Sequence, residues 1–157
     1  MAREDQHGGA SAVTGGVSQV TLGKPGTEAA SFQISHLSTR SFDEVVTSLR
    51  KEIDGAGLRV LQEIDPQKAL QGIGQSIGGS RLIFFFHPTH VVTVLETDWT
   101  AMVEAPLKLL VMELPEGSVS VRMADPATAF GRYGNSGLAD FGKELSTTCQ
   151  QIIKSSL

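Results

Sequence analysis

The stretch SFDEVVTSLRKEIDGAG, residues 41–57, determines how the chain around it folds. Ser41 and Glu44 match the S-x-x-E capping box, in which each side chain can accept a hydrogen bond from the other residue's backbone N–H. Gly55 and Gly57 are typical of a helix end. Between these limits, apolar residues recur at the spacing of a single helical stripe, at Phe42, Val45, Val46, Leu49 and Ile53. The stretch therefore predicts a capped amphipathic helix with one face in a core.

Segments on either side of this helix have the alternation and length of β-strands. We expect strands at residues 17–22, 32–37, 58–64, 82–86, 107–114 and 118–123. We expect further helices at 66–70, 88–96, 98–103 and 138–153, and loops at 72–79, 125–126 and 131–137. The turn Pro115-Glu116-Gly117 and the short connections predict a two-layer α+β fold, with a mostly antiparallel sheet of four to five strands and helices on one face. An α/β fold with a parallel sheet is the alternative.

The composition limits the class of protein and its surroundings. The chain has 157 residues, a net charge of −4 and 40% hydrophobic residues, which fits one globular domain and no nucleic-acid partner. We expect a flexible tail over residues 1–29, rich in Gly, Ala, Ser and Thr, and a single domain over residues 30–157. A single cysteine and the lack of a long apolar stretch predict a cytoplasmic protein with no membrane partner.

Two histidines are the strongest candidates for a functional site. His87 and His90 flank Pro88, where a strand is expected to turn into a helix. Imidazoles so placed could contact a small ligand or an anion, share a metal ion, or act in acid–base catalysis. Metal binding needs further ligands that the neighbouring sequence does not supply, so no metal residue is predicted. Packing or capping at the corner is the alternative.

Other candidates have simpler explanations. Arg132 lies in an expected loop and could present its guanidinium to an anionic ligand. Cys149 has no neighbour that would activate a thiol, so we expect a structural or incidental thiol. The glycine-rich segment 72–79 lacks the fingerprint of a nucleotide loop and is expected to be a flexible connection. Trp99, the only tryptophan, is expected to anchor the core or an interface.

The order of these motifs resembles domain-of-unknown-function family 302. The resemblance rests on residues 41–46, 57–60 and 64–65, then on LIFFFHP at 82–88, APLKLLV at 105–111, GSV at 117–119 and Asp125-Pro126. It covers roughly residues 31–155. It implies a compact two-layer α+β fold that is often dimeric and has no established activity. Members commonly carry Gly-Asn before the proline that ends the third strand, whereas this chain has Phe86-His87.

These observations predict function only in outline. No complete catalytic set is present, so we expect no catalytic residues and a non-catalytic module that binds a small molecule, an anion or a protein partner. We expect His87, His90 and Arg132 to contact the ligand, and the cofactor remains unknown. The resemblance and an incompletely covered apolar sheet predict a homodimer. A metal-handling protein or enzyme that uses His87 and His90 is the alternative.

Overall fold

The computed structural model describes residues 12–14 and 16–157. Its strands are β1 (Ala12–Thr14), β2 (Val17–Gln19), β3 (Gln33–Ser38), β4 (Arg59–Ile64), β5 (Gln75–Ser76), β6 (Ser80–Phe86), β7 (Leu107–Glu113) and β8 (Val119–Ala124). Its α-helices are α1 (Phe42–Gly55), α2 (Pro66–Gln71), α3 (Pro88–Asp98), α4 (Pro126–Gly131) and α5 (Ser136–Ser155). Two 3-10 helices cover Ala29–Ser31 and Trp99–Glu104.

Five strands form the main sheet, in the order β3-β8-β7-β6-β4, and every neighbouring pair is antiparallel. One face carries the fully buried side chains Leu109, Val111 and Val121, and α1 and α5 pack on this side. On the opposite face Leu37 and Ile64 stay exposed. The predicted two-layer α+β fold is confirmed, and the parallel alternative does not hold for this sheet.

Helix α1 begins as its sequence predicts. The Glu44 N–H donates to Ser41 Oγ at 3.3 Å, and the Ser41 N–H donates to Glu44 Oε2 at 3.1 Å. Its stripe is buried, and Phe42 at its first position packs against the segment that leads into β6. A Cβ at Gly79 would lie 2.6 Å from Phe42 Cγ, so only glycine fits there. The capping box therefore fixes where α1 begins, and the first turn of α1 packs Phe42 against the segment before β6.

Two segments predicted as loops contain regular structure. The segment 72–79 holds β5, which pairs in parallel with β2 through the N–H groups of Ser18 and Val20. These two bonds extend the segment into a short strand, so the predicted flexible connection is wrong over this strand. Asp125 caps α4 by accepting from the Ala127 N–H at 2.9 Å, so the predicted loop there is the start of a helix.

The N-terminal region adds a small sheet of order β1-β2-β5, which confirms a short strand within residues 17–22. Part of the expected tail, residues 1–11 and 15, lies outside the described residues. The division into a tail and a domain stays a prediction. Among the residues of known placement, no helix is both long and apolar enough to cross a bilayer.

Candidate functional site

The candidate site lies where β6 ends and α3 begins. Pro88 occupies the first turn of α3 and His87 is its N-cap residue. The Thr89 N–H donates to His87 Nδ1 at 3.1 Å, and the Thr89 hydroxyl lies 2.7 Å from the same atom. Because Nδ1 accepts from the Thr89 N–H, the neutral ring carries its proton on Nε2. His87 therefore both caps a helix and keeps one hydrogen-bond donor for another molecule.

An open pocket of about 340 Å³ adjoins this corner. Four elements build it: β4, the end of β6 with the start of α3, the 3-10 helix Trp99–Glu104, and the Ala105–Pro106 segment, whose peptide bond is cis. Apart from His87, its lining is apolar: Leu61, Phe86, Pro88, Val91, Met102, Ala105 and Pro106. A pocket of this size and composition can take a small, mainly apolar molecule.

Leu61 reaches the pocket because β4 is irregular. Val60 pairs with Phe85 and Gln62 pairs with Phe84, so the residue between them is left without a partner in β6. Such a bulge redirects a side chain at the edge of a sheet. Leu61 remains 58% exposed although it lines the pocket.

His90 lies one helical turn beyond His87, with the ring centroids 6.1 Å apart. Its ring makes edge contacts with Phe86 and Phe141, at centroid distances of 5.5 and 5.4 Å. Its Nδ1 is buried and has no hydrogen-bond partner among the described residues. Burial, and to a smaller extent the neighbouring His87, lowers the pKa of His90 from 6.5. His90 is thus part of an aromatic cluster and does not line the pocket.

Arg132 lies at the C-terminal end of α4 and faces a carboxylate. Its Nη2 is 3.0 Å from Glu104 Oε1, and the Tyr133 hydroxyl donates to the same oxygen at 2.9 Å. The charge of Arg132 is therefore already paired on a mostly exposed surface. The structure brings His87 and His90 together but leaves Arg132 outside the pocket lining.

The remaining chemistry-bearing groups are dispersed. Within residues 12–14 and 16–157, no group of three or more His, Cys, Asp or Glu side chains could hold a metal ion. Cys149 is buried on α5, and burial, followed by the charge of Asp125, raises the pKa of its thiol to about 12. A buried thiol with this pKa is protonated at neutral pH and is a poor nucleophile.

Sequence reasoning found only the His87–Pro88 corner of this pocket. Leu61, Met102 and Pro106 come from three other parts of the chain and meet there only in the folded protein. Their local sequence carries no sign of a pocket.

Trp99 was expected to anchor the core or an interface; the core alternative is wrong, because the side chain is 72% exposed.

The fold and the pocket define a class: a two-layer α+β domain with an apolar pocket at one corner of its sheet. The family model described as domain of unknown function DUF302 matches residues 34–156. The chain therefore belongs to the DUF302 family, which confirms the resemblance seen in its motifs.

Solved structures include a neighbour with the same fold. It is the crystal structure of an uncharacterized conserved protein DUF302 from Bacillus stearothermophilus, which is 16% identical with a TM-score of 0.74. The match covers 80% of this chain and 98% of that chain. At this identity the likeness shows the fold alone. The comparison with curated proteins gives no match.

Proposed function

We propose that this protein is a non-catalytic module that binds a small, mainly apolar molecule at the His87–Pro88 corner and acts as a homodimer. The observation that carries the proposal is the pocket itself: about 340 Å³, lined by seven apolar residues and one histidine. Pockets of this volume suit small molecules, and a few placed polar groups orient a ligand in them.

The ligand is expected to carry a single acceptor near His87. With Nδ1 used by Thr89, the Nε2–H is the group of this ring that can donate to a ligand. A small inorganic anion would need several free donors, but this ring offers only its Nε2–H, and Arg132 is already paired with Glu104. These contacts favour an apolar molecule with one oxygen over a small inorganic anion.

The homodimer is part of the same proposal. Its support is the amount of apolar side chain left on the surface of the described chain, with Leu95 at 49%, Trp99 at 72% and Val103 at 84% exposed. Exposed apolar groups of this kind are typical of interaction surfaces.

The proposed compartment is the cytoplasm, which suits a protein whose one cysteine is a buried, protonated thiol.

Binding can be tested with 8-anilinonaphthalene-1-sulfonate, whose fluorescence rises in apolar surroundings and whose sulfonate can accept from His87. We expect saturable binding to the wild-type protein. The variant Leu61→Glu should bind about tenfold more weakly or worse, because its carboxylate would sit at the rim of an apolar pocket. Leu37→Glu is the matched control, because that leucine is equally exposed on the sheet but does not line the pocket.

The contribution of the imidazole is tested in the same titration. His87→Asn keeps an N-cap side chain that can accept from the Thr89 N–H, so α3 should stay capped while the Nε2 donor is lost. We expect weaker dye binding with little change in thermal stability. A wild-type protein that binds no dye, or a Leu61→Glu variant that binds as well as Leu37→Glu, would refute the proposed site.

A further inference from the structure

Strand β3 forms one edge of the main sheet, and half of its backbone groups face outward. The Asp125 N–H donates to the Phe32 carbonyl at 2.8 Å, so the backbone groups of Phe32 face β8. Because successive residues of a strand direct these groups to opposite sides, the N–H and C=O groups of Gln33, Ser35 and Leu37 point away from β8. They make no hydrogen bond with any residue that the structure describes. A strand added outside β3 could pair with all of them.

The two edges of the main sheet differ in their protection against such pairing. At the other edge, β4 has a bulge at Leu61 and carries the charged residues Arg59 and Glu63. β3, with the sequence QISHLS, pairs regularly with β8 and contains neither proline nor a Lys, Arg, Asp or Glu. Bulges, charges and prolines are the usual devices that keep an edge strand from pairing with another chain. β3 lacks all of them, so its edge is open to a further strand.

A cation without a carboxylate partner lies beside this edge. Arg122 on β8 is opposite Ser35, and its side chain lies on the face of the sheet away from the buried Val121 and Met123. Arg122 Nη1 donates to Gln33 Oε1 at 3.1 Å, which places the guanidinium over β3. No carboxylate among the described residues forms an ion pair with it. Because the Ser35 side chain is small, the guanidinium can reach past it to an added strand.

We propose that the β3 edge binds an extended, acidic segment of a partner protein, which adds a strand to the sheet and places a carboxylate beside Arg122. In an antiparallel pairing, the partner residue opposite Ser35 exchanges two backbone hydrogen bonds with it. The side chain of that residue then stands on the same face as Arg122. In this mode of recognition the main-chain bonds supply the affinity and the side chains supply the specificity. A glutamate opposite Ser35 therefore makes the ion pair that Arg122 lacks.

Charge also decides against a second copy of this chain as the occupant. β3 has no carboxylate, so two copies paired about Ser35 would bring both Arg122 side chains to one junction without a counter-charge. Like charges placed across neighbouring strands are destabilising. The β3 edge is also separate from the pocket of the proposed function, which is lined by Leu61 of β4 at the other edge of the sheet. The inference therefore goes beyond that function and does not depend on it.

The test uses the full chain and a fluorescein-labelled peptide, Thr-Val-Thr-Glu-Thr-Val-Thr, whose binding is followed by fluorescence anisotropy. We expect saturable binding that is about two- to fivefold tighter than for the same peptide with Gln in place of Glu, because an exposed ion pair adds only a modest free energy. Methylating the backbone nitrogen of Glu removes the N–H that would donate to Ser35, and should weaken binding about tenfold or more. Methylating the nitrogen of the Thr that follows Glu is the matched control, because that N–H points away from β3.

Protein variants locate the binding on β3. Ser35→Pro removes an outward N–H but no hydrogen bond to β8, and proline is tolerated on the solvent side of an edge strand. It should weaken peptide binding about tenfold or more and leave cooperative unfolding intact. Arg122→Gln should still bind both peptides but lose the preference for Glu over Gln. Leu61→Glu, at the other edge of the sheet, should bind the peptide as the wild type does.

Several results would overturn the proposal. These are no binding of the Glu peptide at millimolar concentration, equal affinity for the two methylated peptides, or binding that a folded Ser35→Pro leaves unchanged. Equal affinity of the wild type for the Glu and Gln peptides would overturn the acidic specificity. A wild-type dimer in light scattering that Ser35→Pro converts to a monomer would give the edge to a second copy instead. Should Ser35→Pro not fold, the methylated peptides and Arg122→Gln still decide the question. Dye binding at the pocket is measured separately, so either site can fail without the other.

Discussion

His87 and His90 are one helical turn apart, yet their surroundings give them different roles. His87 caps α3 and lines the pocket, so its ring is held in one tautomer with a donor to spare. His90 packs its ring edge-on against Phe86 and Phe141, where a charge would be poorly solvated. The sequence predicted both as ligand contacts because it places them together. Only the folded structure distinguishes the ring that faces the pocket from the ring behind it.

The lowered pKa of His90 predicts a specific pH dependence of stability. Because its pKa is lowered, His90 stays neutral in the folded state below its ordinary pKa of 6.5. Above pH 6.5 the ring is neutral in the folded and the unfolded chain, so the free energy of unfolding is at its full value with respect to this group. As the pH falls below 6.5, the imidazole of the unfolded chain is protonated first. The free energy of unfolding therefore decreases until the pH reaches the lowered pKa of the folded state. In His90→Phe the ring stays aromatic but does not titrate. The drop in thermal midpoint between pH 7.5 and pH 5.5 should therefore be smaller in His90→Phe than in wild type. Equal drops would contradict this account.

Three of the helices described above begin with a capping residue followed by proline: Asp65 before α2, His87 before α3 and Asp125 before α4. Proline at the first helical position needs no hydrogen-bond acceptor, and the residue before it supplies the cap. The signal predicted α2 correctly. It was equally present at Asp125-Pro126, where a loop was expected, although α4 has six residues, as α2 has. Short helices of this kind depend on tertiary contacts, here the burial of Phe130.

The contact of α4 with α5 gives a prediction at this scale. A Cβ at Gly142 would lie 2.7 Å from the Pro126 carbonyl oxygen and 3.0 Å from Phe130 Cβ. Gly142→Ala should therefore destabilise the protein by about 1–3 kcal/mol through overpacking, although alanine is the better helix former. Urea unfolding would measure the loss. Gly55→Ala is the control, since a Cβ at the end of α1 meets open space and should change stability little. Equal stabilities for the two variants would contradict the close approach of the helices.

At the scale of the whole molecule, local signals predicted the layers, and long-range contacts built the pocket. The capping box, the alternating strands and the Pro-Glu-Gly turn are encoded by neighbouring residues, so the α+β sandwich could be predicted. The pocket depends on a bulge at Leu61, which is set by the register of β4 on β6, and on Met102 of the 3-10 helix, which lines the same pocket. No pattern within one segment of sequence specifies that register. The exposure of Trp99 is likewise set by where α3 ends on the folded surface.

The division of the chain into a tail and a domain can be tested by shortening it. In the part from residue 16 to Gln33, no described side chain is fully buried, and the core begins at Ile34. Removing residues 1–29 deletes β2 and its hydrogen bonds to residues 74–76, but it leaves the five-stranded sheet whole. The chain of residues 30–157 should unfold cooperatively, with a thermal midpoint lower by about 5 °C or less. Residues 39–157, which also lack β3 and Ile34, should not fold, because β8 loses one of its two partner strands and the core loses a buried side chain. If residues 30–157 showed no cooperative transition in calorimetry, the N-terminal segment would have to be counted as part of the domain.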